Sequence, residues 1–356
     1  MSITKLLFCW PRSALRRNTL FFPLTALLPA PCLATAHAPH PGSMELRQLR
    51  YFVAIVDHGS LSRAALVLHV AQPALTQQLR QLEEELGVQL LHRSAQGVLS
   101  TDAGKVFYEH AQAILKQVAD ARSAVTQSAT RPSGNVTLGL PHSISGALAL
   151  PLLLAARERY PEITLQLTEE ITGNLNEQLK SGRINLAVLF DDGQLTPFAC
   201  SPLVEEEMRF ICRSDSPFAP LGAALSFPQA LSATLILPGL QHGVRPRIDS
   251  RARELGLETA NVIEINSIAI LKSAILAGMG ATILPAAPLL AELDSGAMRS
   301  YAIHSPVLSR TVALCASKNI PLTNAGNAVK NLVLQVAAEL CGSGRWVGAH
   351  VLSPMT

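Results

Sequence analysis

The chain has 356 residues, enough for two or three domains, and 48% of them are hydrophobic whereas 15% are charged. This composition excludes a largely disordered chain and favours a packed α/β protein. The formal net charge of +3 at pH 7 neither requires nor excludes a nucleic-acid partner.

Six cysteines are scattered along the chain without a CxxC motif or a His-rich partner spacing, so we expect neither a metal site nor a cofactor. Such scattering favours a reducing compartment. Cys200 and Cys212 lie close enough in sequence to raise the idea of a redox switch. The ordinary interpretation is stronger, because Cys212 lies in the apolar stretch RFICR and is expected to be a buried strand thiol.

Residues 1–43 resemble a secretory signal, with arginines, an apolar run and an ATAHA ending of the A-x-A type. Arg16, Arg17 and four prolines interrupt this segment, and the apolar stretch from Thr19 to Leu33 is too short to span a bilayer. We favour a non-native extension ahead of an internal start at Met44, with a signal segment as the alternative. Neither interpretation predicts a membrane-spanning helix.

From Met44 the apolar residues recur at steps of three and four, which predicts helices. Gly59 is a stop signal for the first helix, and Ser60 can cap a short second one. The expected inward face of the first helix consists of Leu46, Leu49, Phe52, Val53 and Val56. That of the second consists of Ala64, Ala65 and Leu68.

The next stretch, AQPALTQQLRQLEEELG, predicts a third helix with Pro73 in its first turn, where a missing N–H costs nothing. Gly87 is its C-terminal stop signal. Its expected buried stripe consists of Ala74, Leu75, Leu79, Leu82 and Leu86.

The segment VQLLHRSAQGVLST predicts two short strands around a turn at residues 95–97. Thr101 or Asp102 then caps a long helix whose apolar residues alternate at steps of four and three for nearly three heptads. We prefer a dimer seam to an amphipathic helix lying on its own domain, because no apolar partner segment lies nearby in sequence. The seam residues are Phe107, Ala111, Ile114, Val118, Ala121 and Val125.

From Asn135 onward predicted strands and helices alternate, beginning with the strand VTLGL and a helix from about Gly146 to Arg159. The alternation occurs in two blocks, which predicts two subdomains built on parallel-rich sheets with a cleft between them. Ligands of open α/β sheets bind at the carboxyl ends of strands. No GxSxG, Walker or HExxH motif and no triad spacing is present, so we expect no catalytic residues and no enzyme.

Two short helices joined by a tight turn match the helix-turn-helix plan, in which the second helix meets base edges in the major groove. The polar residues off the leucine stripe of that helix are Gln72, Thr76, Gln77 and Arg80. A solvated polar face explains them equally well on this helix alone. The following hairpin, which carries Arg93, favours the winged DNA-binding form.

The charge balance of this region limits how it binds DNA. Residues 44–100 carry five positive and five negative side chains, a net charge of zero. Since phosphate contacts rely on Lys and Arg, binding requires segregation, with the glutamates at 83–85 pointed away. Pairing of two chains would offset weak single-site affinity.

The stretch from Leu49 to Gly104 closely resembles the N-terminal domain of LysR-type transcriptional regulators. The resemblance continues to roughly Leu340 through YPEITLQL, LKSGRINLAV and AILAGMGATILP. The matching N-terminal positions are Ala64, Ala65, Gln72, Pro73, Ala74, Leu82, Glu83, Gly87, Leu91, Arg93, Thr101 and Gly104.

The resemblance implies an α/β protein with three functional parts. These are a winged helix-turn-helix over residues 44–101, a dimerisation helix over 102–130, and a two-lobed effector domain, similar to periplasmic binding proteins, over 134–340. A C-terminal tail over 341–356 remains. By resemblance, Arg93 reaches the minor groove, and Ser60 and Ser62 lie near backbone phosphates. The recognition helix presents Gln72, Pro73, Thr76, Gln77 and Arg80.

The family also implies partners. Double-stranded promoter DNA, a homodimer that pairs into a homotetramer, RNA polymerase and an anionic small-molecule effector are expected, in the cytoplasm. The positions matching the effector site are Ser143, Thr172, His242, Gly243 and Arg245. The alternative is an exported solute-binding protein, which the signal-like start and the two lobes suggest. It leaves the helical block from Met44 to Ser128 unexplained.

Overall fold

A computed structural model describes residues 44–94, 97–126, 131–191, 193, 195–240, 242–259 and 261–352. The predicted extension or signal-like segment at 1–43 therefore lies outside the described residues, as do two of the three predicted turn residues of the hairpin. Within the described ranges no helix is both long and apolar enough to cross a bilayer.

Three helices and a hairpin form the N-terminal domain. They are α1 (Leu46–His58), α2 (Leu61–Val67), α3 (Gln72–Leu86), β1 (Leu91–Ser94) and β2 (Gly97–Ser100). Gly59 and Gly87 adopt positive φ at the ends of α1 and α3, as the stop signals predicted.

The buried stripes of these helices differ from the prediction at their ends. Leu46 and Leu86 are each 39% exposed, and Ala74 is exposed as well. All three lie in a terminal turn of their helix, where the helical spacing continues but fewer neighbours cover the side chain. Ile55, which the predicted face of α1 omitted, is fully buried.

The long helix α4 (Asp102–Thr126) begins at the predicted cap, since the Thr101 hydroxyl oxygen accepts the Gly104 N–H at 2.9 Å. Its first half packs on its own domain. Phe107 lies edge-on against Phe52 at 5.1 Å between ring centroids, and Ala111 is fully buried in the same core. The prediction that Phe107 and Ala111 belong to the dimer seam is therefore wrong. Their apolar partner is α1 of the same domain, which their position in the sequence did not suggest.

Two lobes with separate hydrophobic cores follow. The elements of the first lobe are β3 (Gly134–Pro141), α5 (His142–Arg159), β4 (Ile163–Glu170), α6 (Thr172–Ser181) and β5 (Leu186–Phe190). Strand β3 pairs in parallel with β4 and β5, as predicted. The first helix begins at His142 rather than near Gly146, directly at the end of β3.

Strand β6 (Phe198–Glu207) leads into the second lobe. The elements of that lobe are β7 (Arg209–Arg213), β8 (Ala224–Ser226), α7 (Phe227–Leu231), β9 (Leu235–Leu237), α8 (Val244–Glu254), β10 (Val262–Glu264), α9 (Ile268–Leu276), β11 (Thr282–Leu284), α10 (Leu290–Asp294) and β12 (Met298–His304). They form a four-stranded sheet in the order β11-β7-β12-β8 and a parallel pair of β9 and β10.

The chain then returns to the first lobe through β13 (Ser309–Ser317), which pairs antiparallel with β6. The last elements are α11 (Asn324–Gly342) and β14 (Ala349–Val351). The six-stranded sheet of the first lobe has the order β14-β6-β13-β5-β3-β4. Strands β6 and β13 are neighbours inside this sheet, and the chain crosses to the second lobe after β6 and returns from it before β13.

The prediction of a C-terminal tail over 341–356 is wrong for residues 341–352, and the last four residues lie outside the described part of the chain. Strand β14 pairs with β6, and Trp346 is only 1% exposed within the core of the first lobe. The indole Nε1 of Trp346 donates a hydrogen bond to Glu206 Oε1 at 2.8 Å. The effector domain therefore extends beyond residue 340, because these residues complete its sheet and core.

The cysteines also differ from the prediction. Cys212 is a buried strand thiol as expected, and burial raises its pKa. Cys200, however, forms a disulfide with Cys315, which lies 115 residues further along the chain. The pairing considered between Cys200 and Cys212 is therefore wrong, because β6 pairs with β13 and places Cys315 directly opposite Cys200.

Candidate nucleic-acid interface and effector cleft

The turn between α2 and α3 brings the starts of both helices together. The Ser60 hydroxyl oxygen caps α2 by accepting the Arg63 N–H at 3.4 Å. His69 adopts a left-handed conformation with a φ of 54° in the turn that follows. The Ser62 hydroxyl donates to Gln72 Oε1 at 3.0 Å, which joins the first turn of α2 to the first residue of α3.

One face of α3 forms an open surface groove. Its lining consists of Gln72, Pro73, Thr76, Gln77 and Arg80, all of which were predicted from the sequence. The opposite face holds the helix on the domain through Leu75, Leu79 and Leu82, which are buried. The structure therefore separates a hydrogen-bonding face from an anchoring face on the same helix.

Arg80 makes an exposed ion pair within α3. Its Nε lies 2.9 Å from Glu84 Oε1, and the two side chains are 74% and 60% exposed. Exposed pairs of this kind contribute about 0.2–1 kcal/mol. A phosphate oxygen can therefore replace Glu84 as the partner of Arg80 at small cost.

Glu83 has a structural role that its position in a run of three glutamates concealed. Its Oε1 accepts the backbone N–H groups of Leu90 at 2.8 Å and Leu91 at 3.1 Å. The carboxylate thus holds the start of β1 against the end of α3. Only Glu84 and Glu85 of the run are exposed to solvent.

The β1–β2 hairpin is attached to the end of α1. The Val98 N–H donates to the Gly59 carbonyl at 2.9 Å, and a Cβ at Gly97 would lie 2.7 Å from that oxygen. Arg93 is exposed on β1, opposite Val98. The hairpin therefore presents a cation beside the helix-turn-helix, as a wing does.

The arginines of this domain are not equally engaged. Arg47 pairs with Glu45 and Arg80 with Glu84. In the described part of the chain, no ion pair involves Arg50, Arg63 or Arg93. The domain has no net charge, yet these cations remain available to phosphates.

The second half of α4 contacts its own effector domain through polar groups. Gln117 donates to the Gly182 carbonyl at 3.3 Å, and Asn185 donates to Asp120 Oδ2 at 3.0 Å. Its apolar positions point elsewhere. Ile114 and Ala121 are exposed, Val118 is half-buried, and Val125 is 84% exposed. Four of the six predicted seam residues thus share a helix face that is at least partly exposed.

Four of the five predicted effector residues line one small cavity between the lobes. Ser143, Thr172, His242 and Gly243 surround a space of about 60 Å³. The prediction is wrong for Arg245, which does not line this cavity. Its Nε donates to Asp249 Oδ2 at 2.8 Å instead. The i,i+4 spacing on α8 neutralises that guanidinium within its own helix.

The cation at the floor of the cavity is Arg310, on β13. Its Nη2 donates to Ser143 Oγ at 2.9 Å, and its Nε and Nη2 both donate to Glu206 Oε2, at 2.8 and 2.7 Å. The guanidinium lies over the Phe190 ring at 3.9 Å from its centroid. The side chain is only 3% exposed, and the bond from Trp346 occupies the second oxygen of Glu206.

Three helices begin at the walls of this cavity. His142 starts α5, Thr172 starts α6 and Val244 starts α8, and each lines the space. Helix N-termini present backbone N–H groups without intrahelical partners and a positive end of the helix dipole. The cavity therefore favours a ligand with acceptor atoms or negative charge.

Two histidines face this space from opposite lobes. His142 Nδ1 lies 3.0 Å from Glu169 Oε1, and the same oxygen accepts the Ser145 hydroxyl at 2.6 Å. Burial lowers the pKa of His242, and proximity to His142 lowers it further, against a smaller opposing effect of Glu264. The neutral form of the His242 imidazole is therefore favoured more strongly than in a free histidine.

Sequence reasoning missed the residues beneath the cavity. Arg310 and Glu206 are 104 residues apart, and Trp346 lies 140 residues from Glu206. No motif joins such distant positions. The available signal was the charge of Arg310 at the start of β13, whose other residues are uncharged and largely apolar, whereas Glu206 lies between two further glutamates and does not stand out.

Family comparisons agree with this two-part architecture. Residues 46–105 match the family model "Bacterial regulatory helix-turn-helix protein, lysR family", and residues 129–338 match "LysR substrate binding domain". The chain therefore belongs to the LysR family of transcriptional regulators. This assignment overturns the alternative of an exported solute-binding protein, since the helix-turn-helix domain is part of the family plan.

Among its relatives are two proteins named "Nitrogen assimilation regulatory protein nac". The chain is 37% identical to that of Klebsiella aerogenes over 299 residues, which is 83% of this chain and 96% of the relative. It is 39% identical to that of Escherichia coli (strain K12) over 300 residues, with the same coverage. This likeness agrees with stretches such as VLHVAQPAL and SIAILKSAILAGMGATILP, which resemble the same regulator.

Solved structures show the same fold at lower identity. A full-length OxyR variant from Pseudomonas aeruginosa superposes with a TM-score of 0.64 at 23% identity, covering 88% of this chain and 99% of that one. The regulator CbnR gives a TM-score of 0.61 at 24% identity, covering 83% and 99%.

Proposed function

We propose that this LysR-family regulator binds double-stranded promoter DNA sequence-specifically and controls genes of nitrogen metabolism. The observation that carries the proposal is the groove along α3, where five predicted residues share one exposed face. A helix of this kind enters the major groove with its N-terminal residues against base edges. The nitrogen assignment rests on the names and 37–39% identity of the two relatives.

Within this proposal each polar residue has a role. Gln72, Thr76 and Gln77 meet base edges, and Arg80 exchanges Glu84 for a base or phosphate. Arg93, which lies on the wing, enters the minor groove. Phosphates are contacted near Ser60 and Ser62 and, in addition, by Arg50 and Arg63.

The proposed assembly is a homodimer that pairs into a homotetramer. The exposed half of the α4 seam supports it, because Ile114, Ala121 and Val125 have an apolar character that solvent does not favour. We expect Val125→Asp to dissociate the dimer when the protein beginning at Met44 is examined by analytical ultracentrifugation. Thr126→Asp, one residue further along the same helix, is the matched control and should remain dimeric.

We propose that the effector is a small anion held in the cavity between the lobes. The starts of α5, α6 and α8, together with Ser143, Thr172 and Arg310, supply the donors, whereas Arg245 is engaged by Asp249. The cavity of about 60 Å³ admits only a few atoms without movement of the lobes. The family consists of transcription regulators rather than enzymes, and we place this one in the cytoplasm, in contact with RNA polymerase.

The decisive experiment measures binding of the protein beginning at Met44 to promoter fragments from its own genomic neighbourhood. We expect a clear preference over scrambled DNA of equal length at moderate salt. Equal affinity for both would contradict sequence-specific binding. Arg299→Ala is the control for the loss of one positive charge, because Arg299 is exposed in the second lobe and lies outside the groove along α3.

A further inference from the structure

The disulfide between Cys200 and Cys315 lies in the sheet of the first lobe, between β6 and β13, the strands that precede and follow the second lobe in the chain. The residues are direct partners in the antiparallel pairing of β6 with β13, and their Cα atoms are 4.2 Å apart. This is close to the spacing of about 4.5 Å of a non-hydrogen-bonded antiparallel pair. Pairing of the strands therefore brings the two sulfurs together, whether or not they are bonded.

The disulfide encloses the second lobe. The chain enters that lobe after β6 and leaves it before β13, so the bond closes the whole lobe into a covalent loop. The Arg310–Glu206 pair, which supports the effector cavity, joins the same two strands five to six residues away from the disulfide. The strand register shifts between Val312 and Ala313, which lie between the two cross-links. The two strands are therefore linked by the disulfide on one side of this register shift and by the Arg310–Glu206 ion pair on the other.

The two sulfurs differ in access. Cys200 is exposed, whereas Cys315 is fully buried in a small apolar cluster with Leu175 and Leu179 beneath α6. A reagent from solvent therefore reaches the bond through Cys200. The other described thiols are poor competitors, since burial raises the pKa of Cys212 and brings that of Cys341 to about 11.

We propose that Cys200 and Cys315 form a reversible thiol–disulfide site that exchanges with low-molecular-weight thiols and disulfides and changes the DNA response of the regulator. The inference rests on the proposed cytoplasmic function, because in that compartment lasting disulfides are rare and those that form are usually transient or redox-sensing.

The exchange balances without another reactant. In oxidation, the Cys200 thiolate attacks a disulfide RSSR and releases RS⁻, which leaves a mixed disulfide on Cys200. The Cys315 thiolate then displaces the second RS⁻, so that two protein thiols and RSSR give the protein disulfide and two RSH. Reduction reverses these steps, with the first attack at the exposed Cys200 sulfur.

The first measurement is a redox titration of the purified full chain in buffers of reduced and oxidised glutathione. Remaining thiols are trapped by alkylation, and the peptides carrying Cys200 and Cys315 are quantified by mass spectrometry. We expect the pair to pass together from two free thiols to one intramolecular disulfide. The oxidised form should unfold at a temperature higher by on the order of 5 °C, because the cross-link restricts the unfolded chain.

Matched variants identify the site. Cys200→Ser and Cys315→Ser should each abolish the transition and its thermal shift, whereas Cys212→Ser and Cys341→Ser should leave both unchanged. Two free thiols in fully oxidised glutathione would overturn the proposal. So would a disulfide that resists excess dithiothreitol in the folded protein, because a purely structural bond behaves in that way.

The second measurement compares promoter affinity of the oxidised and reduced forms. We expect a difference of about fivefold or more in the wild type, the lower range of allosteric coupling, and none in Cys200→Ser. Equal affinity of both forms in the presence of a complete thiol transition would overturn the regulatory role. If neither form prefers the promoter, the result contradicts the proposed function instead. The redox titration then tests only whether Cys200 and Cys315 form a reversible disulfide.

Discussion

Two Arg–Glu pairs, one in each functional region, show how burial changes what the same residue types do. Arg80 and Glu84 on α3 are both more than half exposed, whereas Arg310 and Glu206 are 3% and 2% exposed. The exposed pair is weak and its arginine can exchange its partner for a phosphate. The buried pair has lost its hydration, so each charge depends on the other, on the bond that Arg310 donates to Ser143 and on the bond that Glu206 accepts from Trp346. The first pair suits binding, and the second maintains the shape of the cavity.

The largest expected effect comes from breaking the buried pair. Arg310→Ala leaves the Glu206 carboxylate buried without its cation, and we expect a loss of about 3–5 kcal/mol in the free energy of unfolding. Urea unfolding of the full chain measures it. Arg299→Ala, an exposed change in the same half of the chain, should alter the free energy by less than about 0.5 kcal/mol. A similar small loss in both variants would show that Arg310 is not needed to neutralise Glu206.

An intermediate effect is expected at Glu83, a half-buried carboxylate whose partners are backbone N–H groups. Glu83→Ala leaves the Leu90 and Leu91 amides without their acceptor, and we expect a loss of about 1.5–3 kcal/mol. Hydrogen exchange at these two amides should accelerate together with the drop in stability. Glu85→Ala, in the same run but exposed, should leave exchange unchanged, and equal protection in both variants would refute the role of Glu83.

Smaller and opposite effects are expected from the two halves of the exposed pair. Arg80→Ala should weaken promoter binding by about 1–3 kcal/mol, since a contact to a base or phosphate is lost. Glu84→Ala should strengthen binding by a few tenths of a kcal/mol, because Arg80 no longer has to leave an ion pair. Fluorescence anisotropy at two salt concentrations measures both. Weaker binding in Glu84→Ala would mean that the pair positions Arg80 rather than competing with DNA.

The smallest effect concerns pH at the cavity. Burial lowers the pKa of His242 in the folded protein below its ordinary value of 6.5. As the pH falls below 6.5, the unfolded chain therefore binds a proton more readily than the folded one, and stability decreases. Comparing urea unfolding at several pH values, we expect His242→Asn to flatten this decrease. An unchanged pH profile would show that His242 is not the group responsible.

Much of the N-terminal domain could be predicted from the sequence because its determinants are local. Ser60, Gly59 and Gly87 act on the backbone within a turn of their own position, and the leucine stripe of α3 follows directly from helical periodicity. The same periodicity misplaced Leu86, because it specifies a face and does not say where the neighbouring helices stop covering it. It also could not show that α1 would cover Phe107 and Ala111.

In the effector domain, the resemblance located four residues of the cavity, and the local pattern located most strands and helices. The ion pair of Arg245 with Asp249 could have been predicted from the sequence, since Asp249 lies one helical turn away. Arg310 was not, because its role depends on Glu206 and Ser143, which belong to other strands and helices of the fold.

The sequence alone therefore determined the family, the order of the domains and the exposed polar face of α3, since periodicity, caps and motif spacing act over a few residues. Only the tertiary structure decided which charges neutralise one another and which cysteines meet. Pairing of β6 with β13 brings Glu206 to Arg310 and Cys200 to Cys315 across more than a hundred residues of chain. Such pairings follow from strand register across a whole domain, which no local pattern encodes.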